Sequence, residues 1–397
     1  MKYMWMLLFM VLPLLGLAYV GWHVWTLVPL TKVWRALLIV LGVGAFLLLF
    51  LNLGRFIDRM PLWLARACYD VGNSSVFILL YLVMTFLVLD LGRLFRLVPR
   101  EWLCHNFYTT AILTVAIFAI FLLANIHYNN KVRATLTLTT TKPLAKPLRL
   151  VMLSDLHLGY HNPKAELCRW VDLINAEQPD LVLIAGDIID MSIRPLVEEN
   201  MAEDFRRIQA PVYACLGNHE YYTGEPQAQQ FYRDAGIHLL RDTAEVVGDL
   251  CIIGRDDRTN PHRQSLGKIM ANLRQKLSTS GEPAEEPYTI LLDHQPYHLE
   301  QTERAGIDFQ LSGHTHRGQV WPISWITDHI YECSWGEHRR GHTRYYVSSG
   351  IGIWGGKFRI GTQSEYLVAT LKGSSPASLQ QEGENDKEDF RQCIITI

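Results

Sequence analysis

Four stretches in the first third of the chain contain no Asp, Glu, Lys or Arg: Tyr3 to Thr31, Ala36 to Gly54, Val71 to Leu89 and Asn106 to Ile126. A helix needs roughly 20 apolar residues to cross the hydrocarbon layer of a bilayer, and each run is near that length. Trp5, Trp22, Trp25, Trp34, Trp63 and Trp102 sit near the ends of these runs, where an amphipathic ring suits the headgroup region. The first run alone could serve as a signal peptide, but three more behind it point to a four-helix transmembrane region over residues 1–130. The lipid bilayer is thus the first expected partner.

With four spans both chain ends share a side. That side receives Lys2, Arg55, Arg59, Arg66, Lys131, Arg133, Lys142 and Lys146, against Lys32, Arg35, Arg93, Arg96 and Arg100 on the other. Cytoplasmic loops carry the excess of Lys and Arg, so the expectation is a multi-pass protein with its C-terminal domain in the cytoplasm. Asp70 and Asp90 flank the third run and are read as interfacial. Asn52, Asn73, Ser74 and Ser75 are candidates for packing helices together.

The formal net charge of -2 lacks the basic excess of a nucleic-acid binder, and no nucleic-acid partner is expected. The seven cysteines are scattered and form no C-x-x-C pair, so neither a disulfide framework nor a zinc knuckle is read. Past His127 short β-type runs alternate with amphipathic segments, the pattern of an α/β sheet domain. Residues 134–141 read as an edge strand, and 148–153, 181–185, 211–216, 288–292 and 309–312 as buried strands, with two more near the end. Asn162 and Pro163 read as the cap and first turn of a helix, and Ser265 to Leu277 as another. This domain is expected over residues 131–372, followed by a polar tail over 373–397.

The chemistry-bearing residues fall at the ends of these strands. SDLHLG holds Asp155 and His157, AGDIID holds Asp187, and LGNHE holds Asn218 and His219; DHQP holds His294, and SGHTH holds His314 and His316. Ligands of α/β sheets gather at the carboxyl ends of strands, so distant residues can converge. In an extended segment, side chains at i and i+2 point the same way, which would let each D-x-H or H-x-H pair present two donors. Carboxylate, amide oxygen and imidazole together suit a borderline divalent ion such as Mn, Fe, Co or Zn. Seven donors exceed what one ion needs and suit two ions sharing Asp187.

The blocks D-x-H, GD, GNHE, a separate His and GHTH, in this order over residues 148–370, resemble the calcineurin-like metallophosphoesterase family, in particular its bacterial membrane-attached members. The resemblance implies an α/β fold, a four-layer β-sandwich flanked by helices, here preceded by the transmembrane region, and a bacterial inner-membrane location. It implies two divalent metals: Asp155, His157, Asp187 and His316 holding one, Asp187, Asn218, His294 and His314 the other. His219 would face the substrate phosphate and assist the leaving group, with Glu220 as an orienter. The implied activity is hydrolysis of a phosphomonoester or phosphodiester by a metal-bound hydroxide. The anchor extends the expectation to a lipid-linked substrate.

Many members carry a small residue after GHTH. Here it is Arg317, which either grips a phosphate or points to solvent. GEHRRGHTR, with His338, Arg339, Arg340 and His342, reads as a basic rim or a solvated loop. Asp190 reads as a helix cap, Asp293 stays outside the site, and Arg255, Asp256 and Asp257 are unplaced. Two other classes remain open: a non-catalytic metal-binding scaffold on this fold, and a membrane receptor or transporter regulated by it.

Overall fold

The computed structural model describes residues 2–53, 55–279 and 286–374. The expected tail lies, from residue 375 onward, outside the described residues, as does most of the polar loop after the second expected helix. The apolar runs form α1 (Lys2–Leu27), α2 (Lys32–Leu53), α3 (Leu62–Leu94) and α4 (Phe107–Asn129). Three stretches have the length and apolarity to cross a bilayer, Lys32–Asn52, Leu62–Leu94 and Phe107–Asn129, while α1 offers a shorter apolar stretch, Val11–Leu27.

Helix α3 is longer than its uncharged run. Its 33 residues extend about 50 Å, and its first turns leave the apolar stretch because they bind the following domain. Where α3 crosses α2 the two main chains touch, since a Cβ on Gly72 would come within 2.8 Å of the Leu49 nitrogen. That close approach is the small-residue packing of membrane helices. Asn73 and Ser75 do not bridge helices: each bonds a carbonyl of α3 itself, Tyr69 O at 2.8 Å and Gly72 O at 2.6 Å.

The rest of the described chain is a two-sheet sandwich. The first sheet holds β1 (Val132–Thr140), β2 (Leu148–Leu153), β3 (Leu181–Ala185), β4 (Val212–Cys215), β5 (His238–Leu239) and β12 (Glu365–Gly373), in the order β1-β12-β2-β3-β4-β5. The second holds β6 (Thr243–Val247), β7 (Leu250–Gly254), β8 (Tyr288–Leu292), β9 (Phe309–Ser312), β10 (Gly336–Arg340) and β11 (Thr343–Val347), in the order β10-β11-β9-β8-β7-β6. β2 to β5 run parallel, as do β7, β8, β9 and β11. Such strands are covered on both faces and read as continuous apolar runs, which is why LRLVML, LVLIA and YTILL are legible. β5, with two residues, and the half-exposed β6 and β10 lack that signature.

Helices cover the outer faces. α5 (Lys164–Ala176), α6 (Arg194–Glu198), α7 (Met201–Phe205) and α9 (Glu225–Asp234) lie on the first sheet, and α8 (Asn218–Thr223) starts at the end of β4. α10 (Leu266–Thr279) and α11 (Leu299–Ala305) cover the second, and α12 (Ile323–Ile330) leans instead on α3 and α4. Pro163, and not Asn162, occupies the cap position of α5. The Asn162 amide is spent on the carbonyls of Leu156, His157 and Ile353, each at 3.0 Å, where it steadies a loop that carries site residues. The expected four layers, helices, sheet, sheet, helices, are present.

Between the sheets Leu150, Met152, Leu183 and Cys215 meet Ile252, Ile290, Phe309 and Leu311. The domain is also bound to the apolar helices. Arg66 of α3 pairs with Glu199 at 2.6 Å, Asp70 with the buried His161 at 2.8 Å, and Tyr128 of α4 donates to Glu166 at 2.7 Å. Asp70 is therefore a docking residue, while Asp90 accepts from Tyr19 of α1 at 2.6 Å.

Phe309 is fully buried between the sheets. Its replacement by alanine should cost roughly 3–5 kcal/mol, read as a lowered denaturation midpoint of the purified protein; an unchanged midpoint would contradict this account of the core.

Candidate metal centre

Every residue singled out at a strand end comes to one place, but not by the extended geometry expected. Asp155 has φ 55° and His157 φ 46°, Asp187 has φ 52°, and His314 and His316 have φ 71° and 47°. β2, β3 and β9 therefore end in left-handed turns, a conformation costly for L-residues and concentrated at functional sites. The pairs converge because the chain coils after β2 and β9, not because a pleat aligns i with i+2. Two glycines make room. A Cβ on Gly313 would lie 2.3 Å from Asp155 Oδ2, and one on Gly217 only 2.1 Å from Asp187 Oδ1.

Three overlapping groups have donor atoms within 4.8 Å of one another: Asp155, His157 and His316; His157, Asp187 and His219; Asp187, His294 and His314. Asp187 joins the second and third. Asn218 belongs with the third, its Oδ1 lying 2.8 Å from His314 Nδ1. The backbone N–H groups of His314 and His219 donate to Asp155 Oδ1 and Asp187 Oδ1, at 3.0 and 2.9 Å, which aims both carboxylates.

The electrostatics call for a cation. Asp155, Asp187 and Asp190 are all buried. Burial alone would raise their pKa values, yet facing imidazoles outweigh it and hold all three well below the usual carboxylate range. The imidazoles divide. Burial would lower His157, but Asp155, Asp190 and Asp187 overcome it and push its pKa up to about 10, and Asp187 raises His294 in the same way. His314, lowered by burial and by the neighbouring His294, falls to about 4, and burial likewise takes His316 well down. Protons on His157 and His294 are what a bound metal would displace.

The donor set fits such an ion. His294 Nδ1 lies 2.7 Å from the Ala185 carbonyl, which makes it the donor and aims Nε2 into the site. That buried Nε2 lies 3.0 Å from Asp187 Oδ2, a gap that a proton or a cation must bridge. His157 and His316 face each other Nε2 to Nε2 at 3.0 Å, two lone pairs with nothing but a proton or a cation to share. Imidazoles tied through Nδ1, as His157 is to Asp190 and His294 to the Ala185 carbonyl, beside carboxylates and an amide oxygen, are the surroundings of a transition-metal ion.

Residues around the ring do work that the sequence reading did not assign. Asp190 caps no helix. Its Oδ1 lies 3.3 Å from His157 Nδ1 and 3.1 Å from His219 Nδ1, and its Oδ2 accepts from the Tyr69 hydroxyl of α3. Glu220 does not touch His219: it accepts from the backbone N–H groups of Gly217, Asp187 and Ile189 at 2.7, 3.1 and 3.0 Å, tying two site loops together. Arg359 is buried and donates to the carbonyls of His316 and Ser349, with burial lowering its pKa to about 10. AGDIID contained the signal for Asp190, whereas nothing in the sequence marks Tyr69 or Arg359.

The Arg317 guanidinium stacks over Trp335 at 4.2 Å and forms no ion pair among the described residues. The expected basic rim is a hairpin edge, not a loop: Arg340 pairs with Glu303 and Glu332, and His338 with Glu332, so its charge is largely neutralised. Asp293 does stay outside, held by Arg255 and Arg263 at 3.2 and 3.1 Å. Asp256 accepts from Tyr221 and Arg241, and Asp257 from Gln295.

Asp190→Asn keeps the side chain's shape but removes the charge that faces two imidazoles. Divalent-metal affinity measured by calorimetry should fall about 10–100-fold, with Tyr69→Phe showing a weaker effect in the same direction. Unaltered affinity in Asp190→Asn would exclude its positioning role.

Residues 148–318 match the family described as calcineurin-like phosphoesterase. An uncharacterized metallophosphoesterase of Campylobacter jejuni is 33% identical over 233 residues, 58% of this chain and 60% of its own length. One from Aquifex aeolicus is 29% identical over 244 residues, 60% of this chain and 90% of the relative. A transmembrane protein with metallophosphoesterase domain from Danio rerio is 28% identical over 369 residues, 86% of this chain and 81% of that one, a match too long to be confined to the sandwich. The aligned part thus spans about 60% of the Campylobacter relative. Given the matched region, the sandwich and the buried carboxylate and imidazole groups, residues 148–318 of this chain carry a calcineurin-like phosphoesterase domain.

Proposed function

We propose that the protein is a membrane-anchored phosphoesterase that uses two divalent metals to hydrolyse a phosphomonoester or phosphodiester. The observation that carries this reading is the convergence of buried carboxylate and imidazole donors on Asp187, with His294 Nε2 aimed at it from 3.0 Å by the Nδ1 bond to the Ala185 carbonyl. In this reading Asp155, His157, Asp187 and His316 would hold one ion, and Asp187, Asn218, His294 and His314 the other. The ions would supply a water of lowered pKa and neutralise charge on the phosphoryl oxygens. Mn, Fe, Co and Zn all suit the donor set.

His219 is the acid. Its ring is slightly open to solvent and lies 4.5 Å from the His157 ring, with Nδ1 beside Asp190. The carboxylate holds the ring at Nδ1, which leaves Nε2 to hand a proton to the leaving oxygen. Arg317, stacked on Trp335 and free of a carboxylate partner, grips a non-bridging phosphate oxygen. The helices α1 to α4 make the protein multi-pass, with the domain on the side richer in Lys and Arg, the cytoplasmic side of a bacterial inner membrane. The anchor, which would hold the domain beside headgroups, favours a lipid-linked ester.

The test uses the full chain in detergent with added manganese and aryl phosphate mono- and diesters. Turnover should vanish with chelator and return with metal. His219→Asn should lower kcat about 10²–10⁴-fold with metal content intact by elemental analysis, whereas His294→Ala should lose metal. A metal-loaded protein silent on every ester would favour the scaffold reading instead.

A further inference from the structure

Helix α12 presents its apolar side outward. Trp325, Ile326 and Ile330 are 65%, 56% and 59% exposed, and Trp321 just before the helix 38%. At 100° per residue, Trp321, Trp325, Ile326 and Ile330 fall on one half of the helix, with the exposed His329 as the one polar side chain among them. The other half, Ile323, Ser324 and Thr327, faces the protein. After α4, the described residues expose only four other large hydrophobic side chains, Val197, Tyr222, Val246 and Trp354. A water-facing helix has its polar side out, so α12 is built for an apolar surrounding.

Its position says which one. Tyr81 of α3 donates to the Trp321 carbonyl at 2.6 Å, and Ile323 packs with Tyr81, Phe121 and Ile117 of α3 and α4. Tyr81 lies midway between Asp70 and Asp90, the carboxylates that bracket the apolar part of α3. If α3 crosses the bilayer, the start of α12 lies below the headgroups, on the side of the domain. The other end of α12 leads to the metal centre: the Tyr331 ring is 6.5 Å from His314 and 4.8 Å from Tyr297. Eight residues, about 12 Å of helix, therefore separate the apolar helices from a candidate metal ligand.

We propose that the outward face of α12 inserts into the leaflet crossed by α3 and α4, and that the metal centre draws its phosphoester from the headgroups of that leaflet. The substrate is then an amphiphile, a phosphate ester with an apolar tail in the membrane. This inference rests on the proposed phosphoesterase activity and membrane crossing, and it adds a contact surface between lipid and site. The occupant is lipid because the face continues the apolar surface of α3 and α4. Arg317, in the segment leading into α12, meets the phosphate as the tail stays among Trp321, Trp325 and Ile326.

The experiment compares the full-length protein with Trp325→Glu, Ile326→Glu and the control Val246→Glu, all reconstituted in phosphatidylglycerol and phosphatidylethanolamine vesicles. Two substrates are used: bis-p-nitrophenyl phosphate in solution, and a short-chain phosphatidic acid embedded in the vesicles. The α12 variants should lose at least tenfold in turnover of the embedded ester and keep that of the soluble ester, while Val246→Glu keeps both. A photoreactive benzoylphenylalanine in place of Ile326 should yield lipid adducts by mass spectrometry. Equal turnover of the embedded ester in all variants, or adducts only with protein, would overturn the inference. Lack of hydrolysis of the soluble ester by the unaltered protein would instead overturn the phosphoesterase reading, and lipid adducts in that case would leave the insertion of α12 standing.

Discussion

Three ionised carboxylates buried in one cluster, Asp155, Asp187 and Asp190, set the terms for everything around them. Isolated charges of this kind cost several kcal/mol each in a protein interior, and the domain offsets them with convergent imidazoles and backbone N–H donors. Those donors require the left-handed turns after β2, β3 and β9, which in turn require glycine at Gly217 and Gly313, where a single added carbon would strike a carboxylate. Arg359 and Glu220 then hold the turns from behind. The strain and the ties belong to one arrangement, and removing either leaves charge without compensation.

That arrangement is not confined to the sandwich. Asp190 takes one oxygen to the two imidazoles and the other to Tyr69 of α3. A helix apolar enough to cross a membrane is thus one bond removed from the residue that proposes to deliver the proton. Arg66, Asp70, Tyr81 and Tyr128 extend the contact along α3 and α4. Displacement of α3 along its axis would alter the acceptor for His157 and His219, so α3 and the centre are mechanically joined, and a fragment starting at β1 would lack one of the groups that orients its histidines.

Much of this was legible in the sequence, for physical reasons that also explain what was not. Buried parallel strands are continuous apolar runs, and the site lies at their ends, so the seven donors could be collected from LRLVML-SD through FQLS-GHTH before any coordinates. The uncharged runs likewise exposed the apolar helices. Asp190 was visible but misread, because a carboxylate five residues past a strand suits a cap as well as a brace for imidazoles. Tyr69 and Arg359 could not be found: each acts through a contact between segments far apart in the chain, and neither Tyr in an apolar helix nor Arg in a loop departs from the ordinary. The i, i+2 argument reached the right convergence by the wrong backbone, since periodicity predicts the direction of side chains only while the strand continues.

The distribution of donors over the two sheets gives the metals a second role. Asp155, His157, Asp187 and Asn218 follow strands of the first sheet, and His294, His314 and His316 follow strands of the second. Each proposed ion takes donors from both, so its binding also joins the sheets at the end where the loops are most strained. Anything that binds only the folded state stabilises it by RT ln(1 + [L]/Kd), about 2.7 kcal/mol at a hundredfold excess over Kd. Without the ion, the compensating protons on His157 and His294 must stay in place, and they are lost as pH rises through the raised pKa values of those rings. The cluster then repels itself, and the same groups that hold the sandwich closed with metal press it open without. The proposed catalysis and the closure of the domain thus draw on one set of buried charges, which is why the donors cannot be softened for stability without loss of the centre.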